Sequence, residues 1–229
     1  MNPKRTPAHR LLHRWGDPAL LAAGSISVLA VLAFLGIADV VFKQRPLLQI
    51  DTQVAVYLHQ HTTLMGVRVM TWISALADPG VPILGIAVAL LLAFRREGVN
   101  LIRWSVVICG GYVLNEWLKV AYDAIRPPVS DPLHLGFDWG FPSGHALAAL
   151  VAYGMVGVLL WDRIVERQRR VMLILIVITL VLLIGFSRLY IEAHYLGDVL
   201  AGYAVGIAWL AVCGGVWRLV VLSRVDLNR

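Results

Sequence analysis

The 229-residue sequence is 59% hydrophobic and only 15% charged, with a mean hydropathy of +0.75. A soluble domain of this size needs far more polar surface, so the composition excludes one and indicates an integral membrane protein built as one compact helical domain. The net charge of +6 and pI near 9.7 would suit a nucleic-acid partner, but the charges fall in short clusters between apolar runs, which argues against one.

Residues 1–17 carry Lys4, Arg5, Arg10 and Arg14 and read as a cytoplasmic N-terminal tail. The apolar run 18–42 is long for the core of a signal peptide and lacks a clear small-x-small exit, so it reads as a retained first span. Residues 51–78 form a long connection in which Leu64, Val67, Met70, Ile73 and Leu76 recur at helical spacing, with Trp72 of the kind found at a headgroup boundary. One or two helices are expected there, lying in the outer interface, packed over the bundle, or both.

Five further apolar runs follow, at 80–94, 104–122, 144–161, 171–186 and 196–221. Several are shorter than the ~20 residues that a ~30 Å hydrocarbon core requires. The expected architecture is an all-α polytopic bundle of six transmembrane helices with interfacial outer helices. Its membrane domain covers 18–221, and 222–229 form a cytoplasmic C-terminal tail. Cys109 and Cys213 sit inside apolar runs and read as small core residues, not as a disulfide or a metal site.

Lys and Arg counts orient the bundle. With the N-terminus inside, the inner segments hold fourteen of the twenty cations and the outer segments six: Lys43, Arg45, Arg68, Lys119, Arg126 and Arg188.

Three polar clusters fall on the outer side. In the first, Lys119 and Arg126 are seven apart, which on a continuing helix places two cations on one face, suited to a dianion. Pro127 and Pro128 end that helix. The plain alternative is a pair of snorkelling cations, with Glu116 or Asp123 as structural partners. In the second, Phe141-Pro142-Ser143-Gly144-His145 precedes an apolar run and reads as a helix N-terminus. Ser143 is a plausible N-cap, Gly144 allows close approach to the backbone, and the open N–H groups favour a phosphate. An ordinary cap with an interfacial His fits as well.

The third is Ser187-Arg188-Leu189-Tyr190-Ile191-Glu192-Ala193-His194-Tyr195-Leu196-Gly197-Asp198. His194 and Asp198 are four apart, which on a helix puts them on one face. An Asp behind a His fixes its tautomer and prepares it as nucleophile or base, and Arg188 adds a forked cation suited to phosphate. The alternative is a snorkelling Arg beside a helix-end His–Asp pair. Convergence of all three clusters on one side favours the chemical reading: cations, a helix N-terminus, two His and an Asp equip metal-free phosphoryl transfer through a covalent intermediate.

Lys119-x6-Arg126-Pro127, Pro142-Ser143-Gly144-His145 and Ser187-Arg188-x5-His194-x3-Asp198 together resemble the three-part signature of the type 2 phosphatidic acid phosphatase (PAP2) family, which is related to vanadium haloperoxidases and bacterial acid phosphatases. The resemblance implies a lipid phosphate or diphosphate phosphatase of a bacterial inner membrane, with its site facing the periplasm. It implies that His194 attacks phosphorus, that Asp198 orients it, and that His145 protonates the leaving oxygen and then activates water. Lys119, Arg126, Ser143, Gly144 and Arg188 would hold the phosphoryl oxygens. No cofactor or metal is implied. The partners would be the bilayer and a lipid substrate such as undecaprenyl diphosphate, phosphatidylglycerophosphate, phosphatidic acid or lipid A 1-phosphate. A phosphotransferase using the same histidine is the second enzymatic reading. An anion transporter is disfavoured, because the charges gather at one face and the runs show no paired halves. Head-group choice is expected in residues outside the motifs, in the loop 129–141 and the helices of 51–78. His59, His61 and His134 read as surface or interface residues.

Overall fold

The computed structural model describes residues 17–42, 47–122 and 140–227. Among these the chain forms eight helices: α1 (Pro18–Phe42), α2 (Leu47–His61), α3 (Leu64–Ser74), α4 (Gly80–Phe94), α5 (Gly98–Tyr122), α6 (Gly144–Trp161), α7 (Arg167–Tyr190) and α8 (Leu196–Leu227). The 51–78 connection is thus largely helical. Thr63 separates α2 from α3 by capping α3, its hydroxyl accepting the Gly66 N–H at 3.1 Å. Asp17 caps α1 in the same way through the N–H groups of Ala19 and Leu20.

Four helical segments are long and apolar enough to cross a membrane: Pro18–Phe42, Gly144–Trp161, Arg167–Tyr190 and Leu196–Arg224. The two other expected spans exist as helices but do not meet that standard. Helix α4 has 15 residues, about 22 Å at 1.5 Å per residue, against a core of about 30 Å. Helix α5 has 25 residues but carries Arg103, Asn115, Glu116 and Lys119. All of these helices present large apolar side chains outward, among them Leu29 and Leu32 of α1, Ile86 and Phe94 of α4, Val113 and Val120 of α5, and Leu175 and Ile176 of α7. Such a continuous apolar exterior belongs in lipid, and the protein is a multi-pass membrane protein.

Helix α6 is the core element, packed by α4, α5, α7 and α8. Its buried side is built largely from small residues (Ala146, Ala149 and Ala152), with Leu147, Val151 and Met155 filling between them. Small residues let helix backbones approach in lipid, where packing replaces the hydrophobic drive. Helix α1 lies along α8, and α3 lies along α7.

One end of the bundle is tied by charge. Arg218 donates to Asp17 at 2.8 Å, and Arg163 to Glu97 at 2.7 Å. Arg103 lies 3.7 Å from Asp162 and 5.1 Å from the Trp217 ring centre. These contacts gather the four segments that cation counting assigns to one side. Helix α8 runs on to Leu227, so the expected tail from 222 begins as helix.

Candidate active site

The site is assembled where α7 ends and α8 begins. Glu192 adopts φ 58°, a left-handed conformation that stops α7. Its N–H donates to the Leu189 carbonyl, and the Ala193 N–H donates to the Arg188 carbonyl, both at 3.0 Å. This is a Schellman termination with a non-glycine residue at its left-handed position. The His194 N–H also donates to the Arg188 carbonyl, at 3.1 Å, which fixes the backbone of His194 to that of Arg188.

The helix break corrects the expectation that His194 and Asp198 share a helix face. His194 lies in the turn and Asp198 is the third residue of α8. They meet because the Asp198 side chain folds back over the helix start. Asp198 Oδ2 lies 3.4 Å from His194 Nδ1 and accepts the Tyr195 N–H at 3.0 Å. A carboxylate at the third helical position reaching back to the N-cap N–H is half of a capping box, and the helix dipole favours negative charge there. His194 is 8% exposed and Asp198 5%. Arg188, in the last turn of α7, is equally buried, and its Nη1 donates to Ser74 Oγ at 3.0 Å.

Ser143 occupies the N-cap position of α6, but its hydroxyl makes no capping bond. The expectation of an Oγ cap is corrected on this point. Its N–H instead donates to the Asp198 carbonyl at 3.0 Å, joining the second motif to the third. Ser143 is fully buried, and its Oγ has no hydrogen-bond partner among the described residues. The close crossing depends on Gly202: a Cβ there would stand 2.6 Å from the Ser143 carbonyl oxygen and 3.1 Å from Ala146 Cβ. Gly202→Ala is therefore expected to push α6 off α8, at a cost of about 1–3 kcal/mol. Thermal unfolding in detergent measures this, and an unshifted midpoint contradicts it.

Gly144 opens α6 against Asn115 of α5, and a Cβ at 144 would lie 3.2 Å from Asn115 Nδ2. His145 follows, partly buried. Asn115 Nδ2 donates to Glu116 Oε1 at 3.0 Å, and its buried Oδ1 has no partner among the described residues. Lys119, one turn further on, pairs with the same Glu116 oxygen at 3.4 Å, as the sequence allowed. The last turns of α5 thus reach the α6 N-terminus. Arg126 and His134 lie outside the described residues, as does the loop 129–141 up to residue 139.

Three site-lining residues escaped sequence reasoning: Ser74, Asn115 and Asp51, which accepts the Gly197 N–H at 2.9 Å. Asn115 was findable, because it stands four residues before Lys119 on the same helix face. Asp51, flanked by Gln49, Thr52 and Gln53, and Ser74 carried no local signal. His59, read as a surface or interface residue, reaches Glu192 Oε1 at 2.9 Å.

Comparison with known proteins bears on this arrangement. The family model described as PAP2 superfamily matches residues 100–220, more than half of the chain and all three motifs. Phosphatidylglycerophosphatase B of Bacillus subtilis is 29% identical over 96 residues, 42% of this chain and 47% of that protein. Undecaprenyl-diphosphatase of Sulfolobus acidocaldarius is 34% identical over 131 residues, 54% of this chain and 57% of that protein. The chain thus spans about half the length of the curated relatives it matches. The crystal structure of a transmembrane PAP2-type phosphatidylglycerolphosphate phosphatase from Bacillus subtilis has the same fold. It superposes with a TM-score of 0.70 at 24% identity, over 83% of this chain and 94% of that one. With the motifs, the helical arrangement and the family model in agreement, the chain belongs to the PAP2 superfamily.

Proposed function

We propose that this protein is a membrane lipid phosphatase that hydrolyses a phosphomonoester or diphosphate through a phosphohistidine. One observation carries the reading. Ser143, Asp198, His194 and Arg188 are linked in series by the Ser143 N–H to the Asp198 carbonyl, the Asp198 carboxylate to His194, and the His194 N–H to the Arg188 carbonyl. The buried Ser143 hydroxyl sits at the N-terminus of α6, where a phosphoryl oxygen would supply the partner it lacks.

In this mechanism Asp198 holds Nδ1 and directs Nε2 of His194 at phosphorus. The P–N bond forms as the P–O bond to the lipid breaks, and His145 gives its proton to the departing oxygen. His145 then takes a proton from water. The water oxygen bonds to phosphorus, the P–N bond breaks, and phosphate leaves. Lys119, Arg126 and Arg188 neutralise the equatorial oxygens, helped by Ser143 and the Gly144 N–H. No step calls for a metal ion.

The matched relatives' names favour phosphatidylglycerophosphate or undecaprenyl diphosphate as substrate. In the proposed topology α4 and α5 complete six crossings, and 18–221 form the membrane domain. Both termini are cytoplasmic, and the site faces the periplasmic side of a bacterial inner membrane.

The test is phosphate release by the detergent-purified protein, with EDTA present, across phosphatidylglycerophosphate, undecaprenyl diphosphate, phosphatidic acid and lipid A 1-phosphate. Release from one or both of the first two is expected. Activity needs neutral His194 together with protonated His145, so kcat/KM should trace a bell against pH. A monotonic profile through the neutral range would remove the two-histidine assignment, and loss of activity to EDTA would remove the metal-free one.

A further inference from the structure

The first turn of α8 carries Asp198 and follows His194, yet it has no N-cap side chain of its own. Tyr195 stands at the N-cap position, where Ser, Thr, Asp or Asn would supply a short acceptor. Its N–H is taken by Asp198. The Gly197 N–H, another of the orphan donors at a helix start, is taken by Asp51 Oδ1 at 2.9 Å, from 146 residues away.

Asp51 is 7% exposed, and the helix that carries it is docked at three further points. Val54 and Leu58 of α2 pack with Ala146, Leu189 and Val199, one from each of α6, α7 and α8. His59 reaches Glu192, the residue that ends α7, at 2.9 Å. Position 197 is fitted to this contact: a Cβ there would stand 2.9 Å from Asp51 Oδ2 and 3.3 Å from Val41 Cγ2. Burial holds the Asp51 carboxyl above the ordinary carboxylate range. The nearby Asp198 charge adds to the rise and the Gly197 N–H bond opposes it. A carboxyl oxygen accepts that N–H in either protonation state, so the anchor requires the acceptor and not the charge.

We infer that Asp51 is a positioning residue: it caps α8 from another helix and so holds Asp198 and His194 in register with Arg188 and Ser143. Helix α2 is then part of the active-site scaffold and not a peripheral cover. The inference rests on the hydrolase reading above, because register matters only if His194 must meet phosphorus. Misplacing a reacting group by about 1 Å can cost about 10²-fold in rate without weakening substrate binding.

The experiment compares wild type, Asp51→Ala, Asp51→Asn and Gly197→Ala, with phosphatidylglycerophosphate in mixed micelles. Hydrogen–deuterium exchange over residues 192–200 is followed in the same preparations. Asp51→Ala is expected to lose about 10- to 100-fold in kcat with KM within about twofold, because orientation fails before binding does. Asn keeps an oxygen acceptor, so Asp51→Asn should recover to within about threefold of wild type. Gly197→Ala, which displaces an intact Asp51, should reproduce the kcat loss. Exchange over 192–200 should quicken in Asp51→Ala and return to the wild-type rate in Asp51→Asn, with α4 and α5 unchanged.

Normal kcat in Asp51→Ala overturns the inference, as does a defect in Asp51→Asn equal to that of Asp51→Ala. If Asp51→Ala does not fold, normal kcat in Gly197→Ala overturns it. If wild type releases no phosphate, the hydrolase reading fails and exchange alone decides the anchor. Faster exchange in Asp51→Ala sustains it, and equal exchange overturns it.

Discussion

His194→Ala is expected to abolish phosphate release, with a loss on the order of 10³-fold or more in kcat. The substitution removes the nucleophile and little else from the proposed phosphate pocket. Arg188 keeps its bond to Ser74, Ser143 keeps its N–H bond to Asp198, and the 194 N–H still donates to the Arg188 carbonyl, because these contacts do not use the imidazole. The Asp198 carboxylate still accepts the Tyr195 N–H. Substrate affinity should therefore hold, and the defect should fall on kcat with KM little changed. A second readout identifies the intermediate. Wild type quenched during turnover of a phosphorus-labelled lipid should carry a label stable in base and lost in acid, as a P–N bond requires, and His194→Ala should carry none. Residual turnover within about tenfold of wild type would falsify nucleophilic catalysis by His194, because a missing nucleophile costs far more.

What the sequence revealed and what it withheld divide along a physical line. Apolar runs are local properties, and each of the six has a helix where the sequence marked it. Helix ends are set by hydrogen bonds that a run does not contain. The 171–186 run is the centre of a helix extending from Arg167 to Tyr190, because α7 continues through the buried Ser187 and Arg188 to the turn at Glu192. The His194–Asp198 contact was legible from its spacing, but its cause was not. Spacing of four suggests a helix face, whereas the contact arises from a side chain folding back across a helix start that Glu192 creates. Ser143 shows the same divide. Its position at a helix N-terminus was readable, while its bond to the Asp198 carbonyl depends on the approach that Gly202 permits 59 residues later. Ser74 and Asp51 act at separations of 114 and 146 residues, where no local pattern reaches.

Asp198→Asn should leave the protein folded and reduce kcat by about 10²- to 10⁴-fold, the range that follows when the carboxylate behind a catalytic histidine becomes an amide. The argument turns on two bonds made by one oxygen. Asp198 Oδ2 accepts from the Tyr195 N–H at 3.0 Å and faces His194 Nδ1 at 3.4 Å. An amide oxygen placed toward Tyr195 keeps the first bond and the start of α8, so the melting temperature in detergent should move by only a few degrees. The same amide oxygen still faces Nδ1 and holds the tautomer, but the negative charge that stabilised the imidazolium forming on attack is gone. The defect is thus one of charge and not of fold. It predicts that the pH profile of Asp198→Asn keeps the limb set by His145, while the carboxylate's stabilisation of the imidazolium disappears and the limb set by His194 moves to lower pH. An unchanged His194 limb, or a rate near wild type, would show that Asp198 serves only to cap α8. In that case His194 would not take its orientation from Asp198, while its backbone bond to Arg188 would remain.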